Sequence, residues 1–554
     1  MRRALGVLCG MVLAVGGARA QGQPSEDEMF GGAGKSESAP TTATATAVPS
    51  GASGSTSPQP TPIAPLAPSA SAATSASTSS DSRDDLNLGD PKAGTRFSAE
   101  VAPEDPLKIG GQVYWRTMSS GRQGQTPQNW SLSAPALVDV FMDARPNDRV
   151  RAFVLGRMSY DPTLPPNGST SSASGGTAAG SAQVSDSPSS LFGQSTRGPN
   201  SVLDQLWVRF DLLRTVFVTA GKQHVRWGTS RVWAPTDYLH LQARNPLLPF
   251  DARTGTTMLK LHVPWEEKGW NFYAYALPES ATSTSTTGSV AGAARAEIVL
   301  GTFEASAGAF VRQHSNAKFA ADFSAGIWDL DFYGEAALRN AGDVSRVSYA
   351  PLPPSEWSTL EVANPSMSTL LPAAVDKLYP SNPGSGWKPQ VTGGVSYTRQ
   401  YADKDTFTVG VEYFYNGLGY GNAEVYPGLV LPHANPLMNP ATFFYLGRHY
   451  LAVFATAPAP YSWDNTSFTL SALGNVSDSS GIARLDYSLT VLTHVRFEAY
   501  GAVHFGQKNG EFRFGMDGDN LVPPDSDKLL KNLGDAFTFA PSLFDIGVGL
   551  RVAL

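Results

Sequence analysis

From residue 108 to residue 554 the sequence alternates apolar with polar or small residues in runs of about ten, the period of a strand with two unlike faces. In 544–554, Phe544, Ile546, Val548, Leu550, Val552 and Leu554 share one face, and Asp545, Gly547, Gly549, Arg551 and Ala553 the other. In 495–505, Val495, Phe497, Ala499, Val503 and Phe505 oppose Arg496, Glu498, Tyr500 and His504. Eighteen such segments stand out, near 108–117, 136–145, 149–160, 201–211, 215–227, 256–264, 269–277, 293–301, 304–313, 318–328, 330–339, 391–401, 405–415, 444–456, 466–475, 482–493, 495–506 and 544–554.

The lengths of the connections discriminate between β architectures. Even-numbered connections are short, such as PND, LLR, WEEK and TF, the longest being APAPYSWDN. The long ones fall at odd positions: 161–200, 228–255, 278–292, 340–390, 416–443 and 507–543. One rim of short turns, one rim of long loops, and both chain ends on the short-turn rim match an outer-membrane barrel. In hydrocarbon every backbone group must pair within the protein, so the sheet must close. The fold class is therefore all-β, a closed antiparallel transmembrane β-barrel. Even strand numbers are the rule in single-chain bacterial barrels; eighteen strands are expected here, with sixteen as the alternative. No run of 18 apolar residues follows the N-terminal leader, so no spanning helix is expected.

Residues 1–20 read as a secretory signal peptide: Arg2 and Arg3, the apolar ALGVLCGMVLAVGG, then ARA before Gln21. Cys9, the one cysteine, lies inside it, so the mature chain offers no disulfide and no thiolate metal site. Residues 21–107 form an extension rich in Ser, Thr, Ala and Pro, too poor in large apolar side chains to offset its ordering entropy, and a disordered periplasmic segment is expected. Two islands interrupt it, EDEMFGG at 26–32 and DDLNLGD at 84–90. They read either as solubilising sequence or as docking motifs for a periplasmic partner. The barrel, 108–554, ends in GVGLRVAL, which resembles the C-terminal signal read by the outer-membrane assembly machinery, although Leu554 stands where an aromatic is usual. The expected setting is the outer membrane of a Gram-negative bacterium, among lipid and lipopolysaccharide, with no nucleic-acid partner.

One stretch departs from plain alternation. GKQHVRWGTSRVWAPTDYL, residues 221–239, begins within the fifth strand, with Lys222, His224 and Arg226 at alternate positions, and turns at Gly228 into a loop of aromatic and charged residues. On a strand ending at 227 those three would line the lumen, since a basic side chain facing lipid at the midplane costs about 2–4 kcal/mol. Arg157, Arg209, Lys260, Arg295 and Arg312 join them as candidate selectivity residues, and along strands three to nine only Glu297 and Glu304 oppose this basic wall. Strands eleven to eighteen mix Asp331, Glu335, Glu412, Asp486, Glu498 and Asp545 with Arg339, Arg484, Arg496 and Arg551. A wall of one sign tunes pore selectivity, here towards anions; the alternative is that the charges pair and close the interior. Loop 228–255 holds Arg231, Trp233, Asp237, Tyr238, Arg244, Asp251 and Arg253 among Leu239, Leu247, Leu248 and Phe250. Such apolar content calls for burial, and the lumen offers it, so this is the candidate constriction loop.

The motif GKQHVRWG followed by APTDYL resembles a signature of porin-like outer-membrane barrels, and its GKQHVR portion resembles a strand motif of alginate-export barrels. That resemblance, confined to residues 221–239 and the general architecture, implies a barrel of the same strand number, a basic lumen and a polysaccharide cargo. The dense arginine ladder of alginate exporters is only partly present.

No enzyme is expected: His224, His240, His262 and His494 lack a G-x-S-x-G elbow. MDGDN at 516–520 lacks the downstream Gly and Glu of a calcium loop, so no metal or other cofactor is expected. What remains is a channel for polar solutes or saccharides. The alternatives are a polysaccharide export conduit coupled to periplasmic machinery, or a structural or surface-interaction barrel of a motility or adhesion complex without an open pore.

Overall fold

The computed structural model describes residues 106–554 apart from 165–197, 241–242, 249–250, 252, 280–288, 365, 402–404, 432–442, 519–531, 536–537 and 539. The leader, the extension as far as residue 105 with its two islands, and Phe250 lie outside the described residues, as does most of connection 161–200.

Eighteen strands form one closed barrel. They are β1 (Leu107–Arg122), β2 (Ala136–Asn147), β3 (Val150–Tyr160), β4 (Asn200–Leu212), β5 (Val216–Gln223), β6 (Thr256–Trp265), β7 (Trp270–Glu279), β8 (Ser289–Leu300) and β9 (Phe303–Arg312). The circuit continues with β10 (Lys318–Ile327), β11 (Leu330–Asn340), β12 (Trp387–Gln400), β13 (Thr406–Asn416), β14 (His449–Pro458), β15 (Thr466–Asn475), β16 (Ser480–Val491), β17 (Val495–Gly506) and β18 (Ser542–Ala553). Each pairs antiparallel with the next, and β1 pairs with β18 from Gln112–Ala553 to Arg122–Ser542, which closes the ring. Every expected strand is present. The largest departures are β1, which runs on to Arg122, β5, which stops at Gln223, and β14, which starts at His449.

Burial runs opposite to that of a soluble domain. Val140, Met142, Leu206, Leu259, Phe323, Val411, Leu451 and Val548 stand exposed on the outer face, while Asp139, Lys260, Glu335, Glu412, Ser471 and Arg484 are buried on the inner one. An apolar outer band around a polar interior is the surface of a barrel that spans lipid. Three long connections build a cap over one rim. Helices α1 (Pro354–Ala363) and α2 (Met367–Leu378) pack with the short α3 (Pro427–Val430) region through Trp357, Leu370, Val375, Tyr379, Leu431 and Met516.

Candidate functional site

The site begins where β5 ends. β4 carries a bulge at Asp204, which is skipped between the pairs Gly156–Leu203 and Leu155–Gln205 and turns inward. Across β5, Leu206 pairs with Lys222 and Trp207 with Gly221. Leu206 is exposed and Trp207 buried, so Lys222 lies on the outer face and Gln223 on the inner one. This corrects the expected orientation. The Lys222 ammonium reaches back along the wall to donate to the Leu203 carbonyl at 2.6 Å, as a long basic side chain does when its stem lies against lipid near a rim. His224 and Arg226 fall beyond the strand, in the connection that enters the barrel.

That connection, 224–255, crosses the lumen. Two buried wall glutamates hold it, Glu335 on β11 and Glu412 on β13. Glu412 accepts three successive backbone amides: Arg231 at 3.0 Å and Val232 at 3.1 Å on Oε2, and Trp233 at 2.8 Å on Oε1, with Thr392 Oγ1 donating at 3.2 Å. Glu335 accepts Ser230 N at 2.7 Å, and Thr236 N at 3.3 Å together with its Oγ1 at 2.6 Å. A run of amides folded around an anion is a nest; here the anion is part of the wall and the nest is part of the loop. Gly228 makes the approach possible. Its φ is +102°, and a Cβ there would strike the Glu335 carboxylate. Trp233 then stacks on Phe414, lies beside Tyr450 and donates its indole N–H to the Phe444 carbonyl at 3.1 Å.

The expected loop residues are brought together. Arg231 sits between the rings of Tyr333 and Phe454 with its guanidinium 3.8 Å from Asp331. Arg244 donates to the Arg231 carbonyl at 3.1 Å. Arg253 bridges Asp237 at 2.9 Å and Asp251 at 2.6 Å. Burial opposes charge on both carboxyls, but His240 and Arg253 at Asp237, and Arg253 at Asp251, overcome it and hold both well below the usual carboxylate range. Tyr238 donates to the Phe319 carbonyl at 2.9 Å, with the Arg339 guanidinium over its ring. Arg226 donates to the Ser230 carbonyl; burial, and next the charge of Arg244, push it down to about 10. His224 bonds Asp204 at 3.0 Å and His240 at 3.4 Å, which ties the loop back to β4.

The other candidate wall residues do not form a bare basic row. Arg157 is paired with Asp139 at 2.9 Å and lies 3.4 Å from Asp204. Arg295 joins Glu297 at 2.9 Å and Asp322 at 2.8 Å. Lys260 is buried over Tyr273, Arg209 lies over Trp207 and Arg312 over Phe310. The acids that answer the arginines, Asp139, Asp143, Asp204, Asp211 and Asp322, escaped the sequence count, although the alternation of VDVFMDA at 138–144 already placed Asp139 and Asp143 on one face.

Two arcs of the wall layer their ion pairs in opposite senses. On β2–β4 the arginine is outermost: Arg145 is 30% exposed over Asp143 at 7%, and Arg149 50% over Asp211 at 3%. On β16 the acid is outermost, Asp486 at 30% over Arg484 at 3%. At the long-loop rim Glu511 braces three connections: it accepts Tyr450 Oη at 2.6 Å, Asn475 Nδ2 at 2.9 Å and Leu446 N at 3.3 Å, while Asp478 accepts Glu511 N at 2.8 Å. The described residues hold no cluster able to ligate a metal.

No family model and no curated protein matches the chain. Among solved structures it is similar to OccAB1 of Acinetobacter baumannii, at 11% identity over 80% of this chain and 97% of that one, with a TM-score of 0.40. It is similar to Wzi of Escherichia coli, described as a carbohydrate-binding β-barrel involved in group 1 capsule assembly, at 10% identity over 79% and 84%, TM-score 0.40. A BenF-like porin from Pseudomonas fluorescens shares 9% identity over 81% and 99%, TM-score 0.40.

Proposed function

We propose that this protein is an outer-membrane channel for polar solutes, with 224–255 as its constriction loop. The observation that carries this reading is the lumen-crossing segment held by Glu335 and Glu412. An interior of about 18 strands is too wide for wall side chains alone to fill, and a loop that narrows it without being part of the sheet sets the aperture. The paired charges on the wall give solutes a polar surface without a single dominant sign. A second reading, a barrel closed by its own loops and acting through its surface, is favoured by the packing of 224–255 against Phe444 and Phe512 from two other long connections. Planar-bilayer recording of the purified barrel separates the two. Discrete ohmic conductance is the expected result; silence at every voltage and salt concentration selects the closed barrel.

A further inference from the structure

We propose that DDLNLGD, residues 84–90, docks in cis on a cationic collar at the short-turn mouth, formed by the ends of β1–β4. Within residues 107–109, 143–152 and 209–215 the collar carries Lys108, Arg145, Arg149, Arg151, Arg209 and Arg214 against Asp143, Asp148 and Asp211. Its net charge is positive, and the layering described above puts the guanidiniums on the accessible side with Asp143 and Asp211 beneath them. The six other turns on this rim carry no net positive charge. The collar also offers an apolar foothold, Leu213, which is 91% exposed beside Arg214.

The chain enters the barrel at this place. Leu107 pairs with Ala144, and Arg145 N donates to the Pro106 carbonyl at 2.7 Å, so the extension departs beside the collar. DDLNLGD carries three aspartates, no cation, and two leucines at alternate positions. Residues 91–106 separate it from β1. A chain of that length reaches roughly 50 Å when extended and about 20–24 Å on average as a coil. Strands about 4.8 Å apart put β4 on the order of 15 Å from β1. A tether whose average length is close to the span gives an effective concentration in the millimolar range, enough to sum several weak charge pairs into occupancy.

The docking needs no conduction, so its test is independent of the channel reading. In the full mature chain, spin labels at S82C and K268C report the distance from the segment to a turn outside the collar. The expected result is a narrow distance distribution at low salt. It should broaden at about 1 M salt, where screening shortens to about 3 Å, and also in R145E/R149E/R214E. D84K/D85K/D90K, which lies outside the barrel and leaves its folding untouched, should broaden it equally. A broad distribution at low salt, or a narrow one that survives either charge reversal, overturns the proposal. So does a narrow distribution that appears only on adding a second periplasmic protein, since the collar would then serve a partner in trans.

Discussion

Midway up the wall the carboxylates of Glu335 and Glu412 are held by backbone amides of a crossing segment; those of Asp143, Asp211 and Asp486 are held by arginines of the wall itself. The chemistry of the buried acid is the same and the consequence is not. A wall acid bound to a wall arginine fixes only the wall. A wall acid bound to loop amides fixes the aperture, because the loop has no ladder of its own and its position depends on those bonds. The first kind of acid should govern what the mouth attracts, and the second what can pass.

The sharpest way to break this contrast is to remove the two loop anchors together. E335A/E412A strands five loop amides, each costing on the order of 1–3 kcal/mol if left buried without a partner. The loop should leave its place, raising single-channel conductance several-fold, admitting large antibiotics and opening 229–237 to protease. E335Q/E412Q keeps neutral acceptors at the same positions and should show a smaller rise. Unchanged conductance and protection in a folded alanine double variant would show that the Trp233 packing, and not the carboxylates, fixes the loop.

A narrower break is G228A. A non-glycine residue in that backbone region costs about 1–3 kcal/mol, and its methyl would press on Glu335. The loop should loosen at one anchor while Glu412 still holds the other, so the conductance rise should be smaller than in E335A/E412A and absent from G156A, where φ is ordinary and an added methyl meets open space. Equal behaviour of G228A and wild type would separate the Gly228 geometry from the anchoring.

The barrel itself was legible in the sequence because two independent periodicities, alternation within strands and parity of connection length, point the same way. The site was legible only in composition. Segment 216–223 puts Phe217 inward and Lys222 outward, so hydropathy names the wrong face, and only the partners Leu206 and Thr257 reveal it. The alternating charges extend the strand pattern to Trp227, although Gly221 and Gly228, both at positive φ, mark the change of path. Glu335 and Glu412 could be placed on the inner face, but their partners lie 99–181 residues away in the chain, beyond any local pattern.

The layered arcs can be sharpened by exchanging the outer member of each pair. R145Q/R149Q should shift the reversal potential in a salt gradient towards cations, and D486N towards anions. Both shifts should be modest and larger at low salt, since fixed charges facing water are screened over about 8 Å at physiological ionic strength. R484Q, which alters the buried member, should instead lower the temperature at which the barrel loses heat-modifiable mobility, with little change in ion preference. Equal effects of R484Q and D486N on selectivity would remove the distinction between inner and outer members.

The smallest expected effect concerns the outer brace, where a loop acid rather than a wall acid is buried. Burial pushes the Glu511 carboxyl up to about 8; the Tyr450 hydrogen bond works against the rise and the nearby Asp478 charge adds to it. A carboxyl whose folded value is raised binds its proton more tightly folded than open. Its contribution to holding the loops is therefore complete below the ordinary glutamate range and is lost as pH rises through about 8. Cleavage of the 417–448 and 507–541 connections by a protease of flat pH response should accordingly quicken by a few-fold between about pH 5.5 and 8.5, then level off. Glutamine at the same site mimics the protonated acid, so E511Q should cut slowly and evenly across that range, and conductance should follow neither variant nor pH, because Glu335 and Glu412 still hold 230–236. A wild-type rate that falls with pH, or an E511Q variant that keeps the wild-type profile, would place the titrating group elsewhere in the cap.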